Sequence, residues 1–258
     1  MRKIYWLILA LFVLVLAACQ GKSTGADDLL ESGGAHVDAG EYAEAIADLE
    51  AVVEADPGNS EAHFLLGQAY NRTGDLPKAV DEFNTVLALD PDNAAAHHNL
   101  GATYFQLGEL DRAVAELQAA LRLEPDDPQT CYQLGAVYFN LALPERGTAA
   151  APDPQFLEQA IAEFEAALEL EENMPEALIG MGNIYIVQAD YAAAIEVLQR
   201  AIEQMPDSPE AFYALGDAYA QSGDVESACE MYDTFLTLNP PSVWLEQARE
   251  KMTMLGCP

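Results

Sequence analysis

Histidine, cysteine and carboxylate side chains are the groups in this sequence whose types and spacing could support catalysis or metal binding. The chain has four histidines. His97 and His98 are adjacent, so on a helix their side chains would point about 100° apart. No histidine pair has metal-ligand spacing together with cysteine or carboxylate partners, and the sequence has no glycine-rich phosphate loop or nucleophile elbow. We therefore expect no metal, no cofactor, no catalytic residue and no enzymatic activity.

The first cysteine, Cys19, follows a segment with the layout of a secretory signal peptide. Arg2 and Lys3 precede an uncharged apolar run over residues 4–18. This run is short for a membrane-spanning helix, which needs about 20 residues. A basic start and a small-residue end are typical of a cleaved leader. Residues 1–18 are therefore predicted to be a signal peptide.

Leu16-Ala17-Ala18-Cys19 resembles the lipobox of bacterial lipoproteins. The resemblance implies cleavage before Cys19, whose acylated thiol would hold the protein on a membrane, with residues 19–26 as a flexible tether. Gln20 favours an outer membrane facing the periplasm in a Gram-negative source, and otherwise we expect the outer face of the cytoplasmic membrane. The alternatives are an uncleaved anchor and an ordinary signal peptide with a chance cysteine.

The chain is strongly acidic, because 43 Asp and Glu oppose 11 Lys and Arg and give a formal net charge of −32. Nucleic acid is excluded as a partner, since phosphate binding needs clustered basic side chains. The charge either keeps an extended surface soluble, or attracts basic partners, or reflects a salt-adapted source.

Small residues recur along the chain at steps of 34 residues, with one longer step of 47. The periodic glycines are Gly33, Gly67, Gly101, Gly135, Gly182 and Gly216, and the periodic alanines are Ala45, Ala79, Ala113, Ala160, Ala194 and Ala228. Small residues at fixed places allow two helices to cross closely. The pattern predicts six helical hairpins in series.

Each unit resembles the tetratricopeptide repeat (TPR), whose pattern appears in the second unit as Leu66-Gly67, Tyr70, Ala79, Phe83 and Pro91. The resemblance implies an all-α solenoid wound as a right-handed superhelix. The six repeats are predicted at residues 26–59, 60–93, 94–127, 128–174, 175–208 and 209–242. A capping helix is expected in residues 243–258, with Ser242 as its N-cap. Its apolar face would consist of Trp244, Ala248, Met252 and Leu255.

Two segments depart from the pattern. Repeat 1 has Ser32 in place of leucine and His36 in place of tyrosine, so its first helix is expected to be poorly apolar and frayed. Repeat 4 carries an insertion over residues 143–155, whose prolines predict an exposed loop. This loop is either a tolerated surface insertion or a functional segment.

The resemblance also implies a concave groove lined by the first helices of successive hairpins. Carried over by register, its lining forms two outer stripes and a middle row, which we call the groove residues. The first stripe is Phe64, His98, Tyr132, Ile179 and Tyr213; the second is Asn71, Phe105, Phe139, Ile186 and Ala220; the middle row is Gln68, Ala102, Ala136, Asn183 and Asp217. Apolar stripes at helical spacing usually belong to a core. These positions differ from the packing columns, however, and contiguous apolar surface is normally covered by a partner.

The remaining cysteines are Cys131, Cys229 and Cys257. Export to an oxidising compartment would allow a disulfide. Extending the repeat register into the capping helix places Cys257 at its far end, beside the helix that contains Cys229. A Cys229–Cys257 disulfide would staple the cap, and two free thiols are the alternative. Cys131 is expected to be buried and inert.

These features predict a membrane-anchored scaffold or adaptor at the bacterial cell envelope. Its partner would be a protein that places a peptide or helical segment in the groove, and the acidic charge favours a basic one. The alternative is an envelope carrier or sensor of a small-molecule or carbohydrate ligand, with groove aromatics stacking on sugar faces.

Overall fold

The computed structural model describes residues 23–144, 150–238, 240 and 242–257, and these residues form thirteen helices and no strand. The prediction of an all-α fold is therefore confirmed. In chain order the helices are α1 (Ser23–Ala39), α2 (Tyr42–Ala55), α3 (Ser60–Thr73), α4 (Leu76–Leu89), α5 (Ala94–Leu107), α6 (Leu110–Leu123), α7 (Pro128–Ala142), α8 (Pro154–Leu170), α9 (Pro175–Val187), α10 (Tyr191–Gln204), α11 (Pro209–Ser222), α12 (Val225–Thr237) and α13 (Ser242–Leu255).

The chain divides into two compact units, and the boundary between Arg112 and Ala113 falls inside α6. In unit one, α1 packs against α2, α3 packs against α4, and α5 packs on α4. In unit two, the hairpins are α7–α8, α9–α10 and α11–α12, and α13 packs on α12. Each packed pair joins a first and a second helix, as the repeat pattern predicts.

Helix boundaries repeat because the capping residues repeat. Asn59 and Asn93 cap α3 and α5, each accepting a hydrogen bond from the backbone N–H three residues later. At the other ends of these helices, Gly74 and Gly108 adopt left-handed conformations with φ of 83° and 77°. Ala189 takes the same role after α9 with φ of 60°, a conformation that costs a residue with a Cβ about 1–2 kcal/mol.

The periodic glycines lie where a large side chain of the paired helix crosses the first helix. A Cβ on Gly67 would lie 2.8 Å from Phe83, and one on Gly216 would lie 2.7 Å from Tyr232. Both aromatic side chains are fully buried. Glycine is needed at these places because any larger residue would push the hairpin apart.

Hydroxyl groups of the periodic tyrosines connect one hairpin to the next. Tyr70 donates to the Glu50 carboxylate of the preceding second helix, at 2.5 Å. Burial and this hydrogen bond raise the pKa of Tyr70 well above its usual range, so its hydroxyl remains protonated. In unit two, the Tyr138 hydroxyl accepts a hydrogen bond from Gln118 at 2.9 Å.

The first helix of repeat 1 is continuous from Ser23 to Ala39, so the expectation that it frays is wrong. The unusual polar residues have partners: Ser32 donates to Asp48 at 2.7 Å, and His36 Nδ1 lies 2.6 Å from a Glu41 oxygen. The start of α1 also corrects the predicted tether, because its last four residues, 23–26, are helical.

The insertion in repeat 4 is shorter as a loop than predicted, because α8 begins at Pro154. Asp153 caps this helix through the backbone N–H of Gln155, and Pro154 suits the first turn, where no N–H partner is needed. The Asp153 N–H also donates to the Ala142 carbonyl at 2.8 Å, which ties the two ends of the loop together. Residues 145–149 lie outside the described part.

The terminal helix α13 packs on unit two as expected, but Ser242 is its first residue and not the N-cap that the sequence predicted. Ala248 is fully buried against Ala228, Tyr232 and Phe235, and the other members of the predicted apolar face pack around them: Trp244, Met252 and Leu255. A disulfide joins Cys229 of α12 to Cys257 beyond α13, with the two Cα atoms 5.6 Å apart. The sequence left open a disulfide or two free thiols, and the structure contains the disulfide.

The described helices include none that is long and apolar enough to cross a membrane. The predicted signal peptide and the predicted lipidation site Cys19 lie outside the described residues.

Candidate functional site

The groove residues are all half-buried, so none is enclosed in the core and none is fully exposed. They lie on first helices, next to core positions such as Leu66 and Leu134, which are almost completely buried. This placement on the edge of each packing face is what the repeat register predicts.

In unit one, some groove residues of α3 and α5 already contact other residues of the chain. The Phe64 ring meets the buried Phe83 ring edge-on, with centroids 5.9 Å apart. The Asn71 amide donates to the Thr103 hydroxyl at 2.9 Å and accepts from Gln106 at 3.2 Å. Asn71 therefore joins two successive first helices. The other predicted groove residues of this unit are Gln68, His98, Ala102 and Phe105.

In unit two, α7 and α9 present an apolar surface with two available polar groups. Tyr132 rests on the buried Phe164 ring, with centroids 5.9 Å apart. Burial, assisted by the Glu176 charge, raises the pKa of Tyr132 and keeps its hydroxyl protonated. Within the described ranges, no hydrogen bond reaches this hydroxyl or the Asn183 amide. The accompanying apolar groove residues are Ala136, Phe139, Ile179 and Ile186.

The last repeat differs because α13 lies against its groove residues. The Tyr213 ring lies 5.5 Å from Trp244, and its hydroxyl donates to Gln247 at 3.3 Å. Lys251 forms a 2.5 Å ion pair with Asp217 and lies 4.4 Å from the centre of the Tyr213 ring. We therefore assign Tyr213 and Asp217 to the docking of α13.

Burial lowers the pKa of Lys251, but hydrogen bonds and charge attraction from Asp217 and Tyr213 outweigh it and leave the pKa above the ordinary lysine value. The attraction to Asp217 is therefore fully present at neutral pH. On the alkaline side, it is lost when the pH rises beyond the range in which a free lysine loses its proton.

A pocket of about 490 Å³ lies on α1 and α3. The sequence did not predict it, because the predicted groove residues begin at Phe64 in repeat 2. Its floor is apolar and its rim is acidic. The residues that line it are Asp27, Leu30, Glu31, Gly34, Ala35, Asp38, Glu61 and Leu65. The sequence feature that could have indicated the pocket is Gly34. It is the residue that the middle row reaches when its register is extended into repeat 1, and it is the smallest residue of that row.

The described residues contain neither a reactive thiol nor a cluster of metal ligands. Cys131 is buried, and this burial, together with the nearby charges of Glu163 and Asp127, raises the pKa of its thiol to about 11. A thiol with this pKa is a poor nucleophile at neutral pH. Among the described residues, no group of three or more His, Cys, Asp or Glu side chains could hold a metal ion.

Four family models match the chain. Those described as "Tetratricopeptide repeat" match residues 30–94, 74–136 and 209–242, and one described as "TPR repeat" matches residues 182–223. The chain therefore belongs to the tetratricopeptide repeat family, as the resemblance predicted. No curated protein matches it.

Solved structures similar to this chain are TPR proteins. A tetratricopeptide repeat protein from Parabacteroides merdae is 22% identical, with a TM-score of 0.73 over 90% of this chain and 87% of that one. PilF of Pseudomonas aeruginosa is 19% identical, with a TM-score of 0.70 over 90% and 99% of the two chains. YrrB, described as a TPR protein with an unusual peptide-binding site, is 22% identical, with a TM-score of 0.56 over 78% and 97%.

These similarities establish the fold as a TPR solenoid. Proteins of this fold typically act as non-catalytic scaffolds for protein–protein interaction. A protein partner is the ligand class that the fold supports.

Proposed function

We propose that this protein is a membrane-anchored adaptor at the cell envelope, and that it binds a peptide or helical segment of a partner protein on the first helices of unit two. The observation that carries the binding proposal is the surface formed by α7 and α9. Half-buried apolar side chains lie there beside the Tyr132 hydroxyl and the Asn183 amide, for which the described residues supply no hydrogen bond.

This combination suits an extended or helical peptide. Apolar side chains of the partner would cover Phe139 and Ile186, and burial of such side chains supplies most of the affinity of a typical interface. Asn183 can both donate to and accept from a peptide backbone, because its amide carries both kinds of group. YrrB, a similar fold with a peptide-binding site, supports a peptide as the ligand.

The groove proposal is tested by replacing both Tyr132 and Phe139 with alanine. We expect this variant to lose at least about tenfold in partner affinity, since aromatic anchors dominate interface energies, while its helical content stays unchanged. A matched control replaces Tyr191 and Phe156, which are also half-buried but lie on second helices.

A second experiment, photocrosslinking from the groove, identifies the partner. A photoreactive phenylalanine analogue at position 139 should crosslink a protein in native membranes, and the same analogue at position 156 should not. Equal crosslinking at both positions, or capture of glycans without any peptide or protein, would contradict the proposed groove. Capture of glycans would favour the carrier or sensor instead.

Membrane anchoring rests on the four residues that end at Cys19. Replacing Cys19 with alanine should abolish incorporation of a labelled fatty acid and shift the protein from the membrane fraction to the soluble fraction, because the acyl chains supply the membrane affinity. A Cys131→Ala variant serves as the control and should keep its label. Labelling that persists without Cys19 would exclude this residue as the lipidation site.

A further inference from the structure

The pocket on α1 and α3 has a half-buried apolar floor and an exposed acidic rim. Leu30 and Leu65 form the apolar floor together with Gly34. By register, Leu30 and Gly34 hold in α1 the places that Phe64 and Gln68 hold in α3. The pocket is thus a recess on the same face as the groove residues, at the first repeat.

The recess exists because position 34 has no side chain. A Cβ built on Gly34 would find its nearest neighbour, Leu65 Cδ1, at 3.6 Å, which is an ordinary contact distance. The packing of the hairpin therefore does not require glycine here, in contrast to Gly33, whose Cβ would lie 2.7 Å from Leu49. Glycine in a helix interior costs about 1 kcal/mol relative to alanine, and at position 34 the structure shows no packing gain in return.

The rim carries four carboxylates, Asp27, Glu31, Asp38 and Glu61. Within the part of the chain that the structure describes, none of the four takes part in an ion pair or hydrogen bond. Helix α1 contains no lysine or arginine. An apolar ligand without positive charge would remove water from these carboxylates and give them no counter-charge, which is unfavourable.

We propose that this recess binds a basic amphipathic segment of a partner protein. An apolar side chain of the segment fills the space above Gly34, and lysine or arginine side chains on either side of it pair with the rim carboxylates. The inference rests on the proposed adaptor function and adds to it a second contact site and the chemistry of the partner.

The test of the recess itself is the substitution Gly34→Gln, which gives repeat 1 the residue that repeat 2 has at this register. The probe is a synthetic helical peptide of about 18 residues with leucine on one face and lysine on the other. We expect the variant to bind this peptide about tenfold more weakly than the native protein, with a thermal midpoint that is unchanged or higher. The matched control is Gly25→Gln in the same helix, where a Cβ would meet nothing within 4 Å.

The rim is tested by neutralising its four carboxylates together, in the variant Asp27→Asn, Glu31→Gln, Asp38→Asn and Glu61→Gln. A control with the same charge change alters four exposed carboxylates of unit one outside the pocket, Asp28→Asn, Glu44→Gln, Glu54→Gln and Asp92→Asn. We expect the rim variant to lose at least about tenfold in affinity for the peptide and most of its salt dependence, and the control to lose less than about threefold.

The proposal would be overturned by equal affinity of the Gly34→Gln and Gly25→Gln variants, by equal loss in the rim and control variants, or by equal binding of a peptide with glutamate in place of lysine. Binding of spermidine at the affinity of the peptide would also overturn it, since a polyamine uses charge without the apolar floor. The Tyr132 and Phe139 variant should bind the probe normally. Failure at this recess is thereby distinguished from failure of the groove in unit two.

Discussion

Replacing Phe164 with alanine should lower the free energy of unfolding of unit two by about 3–5 kcal/mol. The Phe164 side chain is almost completely buried, and two first helices approach it through glycines. A Cβ on Gly135 would lie 2.8 Å from the ring, and one on Gly180 would lie 2.5 Å from it. The ring therefore fills a space that neither glycine can fill after its removal, because neither carries a side chain.

The same substitution should disturb the proposed binding surface, since the Tyr132 ring rests on Phe164. We expect urea denaturation to show an earlier loss of helicity for unit two, and the hairpin α11–α12 to be less affected than α7–α8 because repeats interact mainly with their nearest neighbours. Phe164→Leu is the control, because leucine serves at the corresponding positions Leu49 and Leu198. If the alanine variant loses less than about 1 kcal/mol in free energy of unfolding, the helices must move together and fill the space left by the Phe164 ring, which would contradict the prediction.

The fold could be predicted from the sequence because packing in each repeat depends on a few residues of fixed size. Gly67 and Phe83 illustrate this, since the absence of a Cβ on one helix matches a ring on the other. Proximity of Cys229 and Cys257 could be anticipated for the same reason, because the register that applies to the repeats continues into α13.

Features that depend on individual side-chain partners could not be predicted in this way. The sequence shows Ser32 and His36 as departures from an apolar pattern, and only the structure shows that Asp48 and Glu41 satisfy them. Ala189 does not indicate a left-handed residue, because that conformation normally selects glycine.

The candidate site was predicted less completely than the fold. The groove residues assigned by register are half-buried in the structure, but register does not say which of them are used by the chain itself. Gln247 and Lys251 stand one repeat length after Tyr213 and Asp217, so continuing the register into α13 would have indicated both contacts. The recess above Gly34 was missed because the register of the groove residues was not extended into repeat 1, where it reaches Gly34.

Opening the Cys229–Cys257 disulfide should destabilise the docked state of α13 by about 3.5 kcal/mol. The bond closes a loop with a sequence separation of 28, and the loss of that constraint on the unfolded chain accounts for the estimate. The expected effect is local, since α13 contacts α12 and the repeats beyond it do not depend on the bond.

Hydrogen exchange of the oxidised protein and of the Cys229→Ala, Cys257→Ala variant measures this effect. Protection of the backbone amides in α13 should fall by about 300-fold, since each factor of ten corresponds to about 1.4 kcal/mol. Amides of α7 and α8 should keep their protection. A reducing agent should reproduce the loss in the native protein and change nothing in the variant, because the remaining described cysteine, Cys131, is a buried thiol.

Further contacts hold α13 in place besides the disulfide: the Lys251–Asp217 ion pair and the packing of Trp244 on Tyr213. If α13 exchanges equally with and without the disulfide, these contacts alone hold the helix in place. If protection falls as expected, reduction enlarges by the same factor the population in which α13 is undocked, and in that population Tyr213 and Asp217, which by register belong to the groove, are uncovered. The redox state of one bond would then change how often the last groove position is open to a partner and not covered by the chain itself.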